Sequence, residues 1–210
     1  HSYVDANRTL LNKFQRLDFL MLLFASYGSV SINSPWACTG QNQAYTKTLY
    51  KDIGGFEPIN QYLQGDDTLF LQLAIKKGAN IIFNNYPQSY VISRTEEKWC
   101  DLFLQRARWS GDANLMWKFN FLFYLAALAS FNINFIIIAL VFTPWVKIGL
   151  VILIFKLLFE LIMYISGMKK IQHENSNYID FIFWSLITPF YTVTMGIVSF
   201  FNISWKGKKL

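Results

Sequence analysis

The stretch FNFLFYLAALASFNINFIIIALVFT, residues 119–143, decides what kind of fold this chain can adopt. It carries no charged side chain along its whole length. A helix needs about 20 consecutive apolar residues to cross the hydrocarbon core of a bilayer. We therefore predict that residues 119–143 form a membrane-spanning helix.

Two further apolar segments follow, at residues 146–167 and 178–205, so residues 119–205 form a predicted transmembrane region with three hydrophobic segments. Pro144 and Trp145 form a turn between the first two segments, and Pro189 lies near the middle of the third. The third segment either spans the bilayer once or is re-entrant or interfacial, because about 27 residues cannot cross twice. Both readings remain open at this point.

Two charged residues interrupt the second segment. Lys156 and Glu160 are four positions apart, so they lie on one face of a helix. Charges at such a depth are costly and face a partner or a cavity. They either pair with each other and hold the helices together, or they line a path for a polar chain or a lipid head group.

The composition is that of a soluble half joined to a membrane half. Of the 210 residues, 53% are hydrophobic and 18% aromatic, and most of the charge lies in residues 1–118. The net charge is +6, but several basic residues flank apolar segments, which favours positive-inside topology over nucleic-acid binding. Cys38 and Cys100 show neither metal-ligand spacing nor a disulfide framework, and both fit a reducing cytosolic face.

Hydrophobic periodicity and turn residues predict the elements of the soluble half. Helices are expected at residues 9–24, 46–53 and 67–77, the last two ending at Gly54-Gly55 and at Gly78. The stretches NIIF (80–83) and SYVIS (89–93) are predicted to be short strands.

A long amphipathic helix is expected over residues 95–118, lying at the membrane surface. Thr95 is its predicted N-cap. Glu96 and Glu97 would occupy its first turn, where acidic side chains suit the positive end of the helix dipole.

Asp66 and Asp67 follow Gly65 at the start of the third predicted helix. A helix cap needs one carboxylate, and an isolated GDD is most often just a cap. A carboxylate held at a helix N-terminus is also kept ionised by the dipole and the free N–H groups. It is then a usable general base if a hydroxyl group can reach it.

The stretch QRARW, residues 105–109, lies in the long helix. Gln105, Arg108 and Trp109 are at positions i, i+3 and i+4, so they share one helical face. Arginine binds phosphate oxygens in bidentate fashion, tryptophan stacks on a pyranose ring, and glutamine bonds sugar hydroxyls. The alternative is an interfacial helix with ordinary anchoring residues.

Four motifs together resemble a known family. TGQN (39–42), AYTKTLYKDIGGFE (44–57), GDD (65–67) and QRARW (105–109) follow one another in the order and spacing of family 2 membrane glycosyltransferases. That class includes cellulose, hyaluronan and poly-N-acetylglucosamine synthases. The trailing hydrophobic segments and the closing WKGKK also match, so the resemblance covers most of the chain.

The resemblance implies an α/β catalytic domain of the GT-A type, with residues 1–94 as its C-terminal half, docked on an α-helical transmembrane bundle. Residues 95–118 would be the interfacial helix that carries QxxRW, and residues 206–210 a basic tail. The chain begins at His1 with no initiator Met, so we expect an upstream half. The family implies an integral protein of the plasma (inner) membrane with its catalytic domain in the cytosol.

The resemblance also implies roles for individual residues in an inverting reaction. Asp67 would take the proton from an acceptor hydroxyl as it attacks the anomeric carbon of a nucleotide sugar. Asp66 would cap the helix and orient the site, while Asp67 does the chemistry. Gly40 and Asn42 would form the acceptor-side loop.

The residues of QRARW receive roles from the same resemblance. Arg108, together with Arg106, would neutralise the leaving diphosphate, and Trp109 would stack on the acceptor sugar beside Gln105. The family's Asp-x-Asp metal site is absent from this sequence. A divalent cation, Mg²⁺ or Mn²⁺, is therefore implied by the family alone, with ligands outside this chain, and the fragment by itself is expected to be inactive.

The function expected from the sequence is that of a nucleotide-sugar-dependent hexosyltransferase for polysaccharide biosynthesis at the cell envelope. It would move a sugar to a glycan or lipid-linked acceptor at the cytosolic membrane face, in contact with membrane lipid. The alternative is a non-catalytic membrane subunit that binds or conducts a glycan. An unrelated transporter fragment would predict symmetric repeats of spans, and the sequence shows none.

Overall fold

The computed structural model describes residues 2–4, 9–62, 65–171, 177–201, 204–205 and 208–209, and within these ranges the chain is mainly helical. Its α-helices in chain order are α1 Leu10–Ser31, α2 Lys47–Ile53, α3 Thr68–Lys76, α4 Trp99–Phe119, α5 Phe121–Val141, α6 Val146–Ile171 and α7 Tyr178–Val198. Its strands are β1 Ser2–Val4, β2 Val91–Ser93, β3 Ser204–Trp205 and β4 Lys208–Lys209.

The strands are few, so the predicted α/β half of a GT-A domain is not evident in the described residues. β1 pairs in parallel with β2, and β3 pairs antiparallel with β4. SYVIS contributes β2, as predicted, but residues 80–83 are not a strand. A strand needs a hydrogen-bonded neighbour, and this segment instead packs the Phe83 ring against Tyr27, with 5.3 Å between centroids.

The three helices predicted in the soluble half are confirmed. Helix α1 is capped by Thr9 and runs beyond the predicted end at residue 24, to Ser31. Helix α2 ends at Gly54, whose φ of 86° is a left-handed conformation that favours glycine. Helix α3 begins directly after Asp67 and is followed by Gly78, with φ of 77°.

The predicted start of the long helix is wrong. Helix α4 begins at Trp99, with Lys98 at the cap position, so Thr95 is not the N-cap. The backbone of Glu96 is instead bonded to the side chain of Gln15 on α1, through both its N–H (2.8 Å) and its carbonyl oxygen (2.9 Å). This contact between distant residues holds Glu96 outside the helix, which local propensity alone could not reveal.

Three helices, α5, α6 and α7, are long and apolar enough to cross a membrane, which indicates an integral membrane protein. The third predicted segment forms a helix of 21 residues that ends at Val198 and contains Pro189. Within α6, Lys156 and Glu160 pair at 2.7 Å. The pairing foreseen for these two charges is therefore present.

Two apolar cores join the first four helices to the three long apolar helices. The larger core joins α1 to α4, α6 and α7, and the smaller one joins α2 and α3 to the end of α4 through Met116. Gln72 of α3 donates to the carbonyl oxygen of Trp36 (2.7 Å) and accepts from Asn120, next to α5 (3.1 Å). These contacts fix α3, and the aspartates before it, relative to the apolar helices.

Helix α1 meets α6 where Gly167 faces the buried ring of Phe24. A Cβ at Gly167 would overlap this ring, so we expect Gly167→Ala to lower the stability of the full-length protein by about 1–3 kcal/mol. Thermal unfolding in detergent measures the change. Gly28→Ala is the matched control, because Gly28 has open space around it and alanine is the better helix former. Equal midpoints for the two variants would contradict this packing.

Candidate functional site

The carboxylate of Asp67 is fixed by backbone amides on two sides. Its Oδ1 accepts from the Thr68 N–H at 2.6 Å, which makes Asp67 the N-cap of α3. Its Oδ2 accepts from the Gly40 N–H at 2.9 Å. The sequence interpretation gave the capping role to Asp66 and the chemistry to Asp67. The structure corrects this, because Asp67 is the cap and Asp66 is exposed.

The TGQN motif meets Asp67 through Gly40, in a short 3-10 helix at Gly40–Asn42 that Thr39 caps. A Cβ at Gly40 would lie 3.5 Å from Asp67 Oδ2, which is ordinary van der Waals contact. Asn42 does not join this contact, because its side-chain amide donates to the carbonyl oxygen of Ser89 at 2.8 Å. The structure thus brings one of the two predicted loop residues to Asp67.

Cys38 also lies against this turn, although it was not among the residues predicted for the site. Its thiol is 3.3 Å from the carbonyl oxygen of Asp67. Burial, followed by the negative charges of Asp67 and Asp66, raises the pKa of Cys38 well above its usual range. The thiol therefore stays protonated and is not a nucleophile.

Arg106 of the QRARW motif points into the protein. Its side chain is buried, and its Nε donates to Oδ2 of Asp18 on α1 at 2.7 Å. Asp18 also accepts from Trp184 Nε1 (3.4 Å) and from the Tyr191 hydroxyl (3.3 Å), both on α7. One carboxylate thus links α1, α4 and α7.

Gln105 and Trp109 both contact the Arg106 guanidinium. Gln105 accepts from Arg106 at 2.7 Å and donates to the Glu96 carboxylate at 2.8 Å. The Trp109 ring lies under Arg106, with 3.9 Å from the guanidinium carbon to the ring centroid. Because Arg106 is itself bonded to Asp18 of α1, these contacts fix the orientation of the Gln105 and Trp109 side chains.

Arg108 belongs to a different set of charges. Its positive charge acts on Asp112, one helical turn further along α4, and so do the negative charges of Asp67 and Asp66. Burial raises the pKa of Asp112 to about 7, with repulsion from Asp67 adding to the effect and attraction to Arg108 opposing it. Asp112 was not among the residues predicted for the site, although it lies four positions after Arg108 in the sequence and so on the same helical face.

The predicted site residues therefore separate into two groups. Gly40, Asp66, Asp67 and Arg108 converge around the turn before α3, together with Asp112. Gln105, Arg106 and Trp109 form a chain of contacts to Asp18. Both groups include residues of α4, with Arg108 and Asp112 in the first group and Gln105, Arg106 and Trp109 in the second.

The described residues do not fit the divalent cation that the resemblance implies. No group of three His, Cys, Asp or Glu side chains in the described ranges is placed to hold a metal ion. Both oxygens of Asp67 face backbone N–H donors, and Asp112 holds a proton below about pH 7. No step of the reaction is assigned to a metal here.

Apolar helices joined to a soluble part that carries a fixed carboxylate and an arginine form the arrangement expected of a membrane-bound glycosyltransferase. The chain belongs to Glycosyl transferase family 21, whose family model matches residues 4–210. Its members are nucleotide-sugar-dependent glycosyltransferases. The resemblance found in the sequence is thereby confirmed at the level of a glycosyltransferase, while the matching family is 21 rather than 2. No curated protein and no solved structure matches the chain.

Removing one partner of the Asp18–Arg106 pair leaves the other charge buried, so we expect Arg106→Ala to destabilise the full-length protein by about 3–5 kcal/mol. The control is Lys13→Ala, which breaks the Lys13–Asp180 pair on a side chain that is 40% exposed, at a cost of about 0–1 kcal/mol. Thermal unfolding in detergent compares the two. A similar small loss in both would show that the buried pair does not hold the helices together.

The free energy of unfolding should depend on pH through Asp112. The folded pKa of about 7 lies above the ordinary 3.8, so the folded state keeps a proton that the unfolded state loses, and stability falls as pH rises between these values. We expect Asp112→Asn to be more stable than wild type above about pH 7, by at most about 4 kcal/mol, and to lose this advantage near pH 4. Unfolding midpoints across this range test it, and a constant difference between the proteins would contradict it.

Proposed function

We propose that this protein is an inverting glycosyltransferase that moves a sugar from a nucleotide-sugar donor to a glycan or lipid-linked acceptor at the cytosolic face of the membrane. The observation that supports this most directly is the position of Asp67. Its carboxylate is held by the Thr68 and Gly40 amides at distances of 2.6 and 2.9 Å. A general base must be positioned in this way before a hydroxyl group can reach it.

Asp67 accepts the proton of the acceptor hydroxyl while the oxygen of that hydroxyl attacks the anomeric carbon. The bond from that carbon to the diphosphate breaks on the opposite face, which inverts the configuration. Each carboxylate oxygen has two lone pairs. The two amide bonds of Asp67 therefore leave room for the incoming proton.

Arg108 is the residue that we assign to the leaving diphosphate. A guanidinium group matches the geometry of phosphate oxygens and keeps its charge at every working pH. Its charge acts on Asp112, on which the charges of Asp66 and Asp67 also act. Asp66, which is exposed beside Asp67, orients the site.

Arg106 receives a structural role in this proposal, in place of the diphosphate contact inferred from sequence. Its guanidinium is bonded to Asp18 at 2.7 Å and is buried. By holding the Trp109 ring at 3.9 Å, it presents this partly exposed indole to the acceptor sugar. Gln105 lies alongside and binds sugar hydroxyls.

The cytosolic orientation rests on the end of α6. Its last turn carries Lys169 and Lys170, and basic residues favour the cytosolic side of a span. The same end touches the soluble part, since the Tyr90 hydroxyl donates to the Ile171 carbonyl oxygen at 2.5 Å and Asn85 donates to that of Lys170 at 3.3 Å. The site and the basic end of α6 therefore share one side of the membrane.

Asp67→Asn should lower the transfer rate by at least about a hundredfold, because the amide cannot accept the proton. The fold should survive, since asparagine caps helices as well as aspartate does. The measurement is release of nucleoside diphosphate by full-length protein in purified membranes, across a panel of nucleotide sugars. Asp52→Asn, at an exposed position of α2, is the control and should match wild type.

Two results would overturn the proposal in different ways. Wild-type turnover by the Asp67→Asn variant would place the base elsewhere. No release from any donor by well-inserted wild-type protein, with acceptor membranes present, would favour the non-catalytic subunit that binds or conducts a glycan.

A further inference from the structure

Asp112 is a carboxylate that has no role in the proposed reaction. It lies on α4 one turn after Arg108, and its Oδ1 would be 3.2 Å from a Cβ placed on Gly65. The side chain therefore reaches the glycine that directly precedes Asp66 and Asp67. Within the described part of the chain, this buried Oδ1 accepts no hydrogen bond.

In the described part of the chain, the charges that act on Asp112 come from two elements. Asp67 and Asp66 face it from the turn before α3, and Arg108 faces it from its own helix. The basic residue in the last turn of α3, Lys76, lies at the far end of that helix. Helix α1 also packs against α4 and carries Lys13, Arg16 and Asp18, of which Lys13 pairs with Asp180 and Asp18 with Arg106.

The apolar helices that pack against α4 contribute no further charge near Asp112. Helix α5 contains no charged residue. The charged residue of α7 is Asp180, at the opposite end from the Ser199 that contacts α4, and it pairs with Lys13 at 3.2 Å. Among the described residues, the charges that act on the Asp112 carboxyl are therefore those of Asp66, Asp67 and Arg108.

We propose that Asp112 is a positioning residue that controls how much of the Arg108 charge is available to the leaving diphosphate. This inference rests on the proposed function, because it takes Arg108 to be the diphosphate contact. An ionised Asp112 attracts the guanidinium and adds a third negative charge beside Asp66 and Asp67. A protonated Asp112 does neither, so the donor binds best while the proton is present.

The protonation of Asp112 changes in the neutral range, since burial and the neighbouring carboxylates raise its pKa to about 7. Donor affinity should therefore fall as pH rises through this value. If the donor binds the protonated form alone, KM increases by up to about tenfold from pH 6 to pH 8. The maximal rate should change less, because saturating donor restores the occupied state.

The test measures KM for the nucleotide sugar and kcat separately, in full-length protein, from about pH 6 to about pH 8. A nucleoside diphosphate sugar is the suitable probe because each of its phosphates carries one ester and one anhydride link, so neither titrates in this range. We expect KM to rise with pH in wild type, to stay flat in Asp112→Asn, and to rise again in Asp112→Glu. Asp101→Asn, at an exposed position on the same helix, should behave as wild type.

The results that would overturn the role of Asp112 differ from the result that would overturn the proposed function. A wild-type KM that does not change with pH overturns the inference without any variant, and so does an unchanged rise in Asp112→Asn. A loss of protein yield in Asp112→Asn with a wild-type pH profile would show a purely structural role. Absence of nucleoside diphosphate release in wild type would instead overturn the proposed function.

Discussion

The buried ion pair between Asp18 and Arg106, at 2.7 Å, is the interaction on which the rest of the arrangement depends. A charge removed from water is tolerated when its remaining hydrogen-bonding capacity is satisfied. Here Trp184 and Tyr191 supply further donors to the carboxylate. Because these groups come from α1, α4 and α7, the pair fixes the rotation of α4 about its own axis.

That rotation decides which residues of α4 can take part in chemistry. With Arg106 turned toward α1, Arg108 and Asp112 are turned toward the aspartates that precede α3. Trp109 remains under Arg106 and packs against Phe19 of α1, with 6.2 Å between ring centroids. Arg106 of the buried pair and Arg108, the proposed diphosphate contact, thus lie on the same helix, so the packing of α4 orients both side chains.

Much of the helical framework was predictable from the sequence, because it depends on local signals. Apolar length predicted the three long helices, and Gly54 and Gly78 marked the ends of α2 and α3. The strand predicted at residues 80–83 failed because a strand requires a partner, which no local pattern supplies. The predicted start of α4 was wrong for a similar reason, since Gln15 binds the Glu96 backbone from 81 positions away in the chain.

The sequence by itself determined the membrane-associated class of the protein, the helix that follows Asp67, and the set of residue types suited to sugar and phosphate. These follow from composition, periodicity and motif spacing. The tertiary structure alone decided that Asp67 rather than Asp66 is the cap, and that Gly40 meets it at 2.9 Å. It also separated Arg106 from Arg108 and added Asp112 to the site. The physical reason is that burial and charge pairing depend on contacts between residues far apart in sequence.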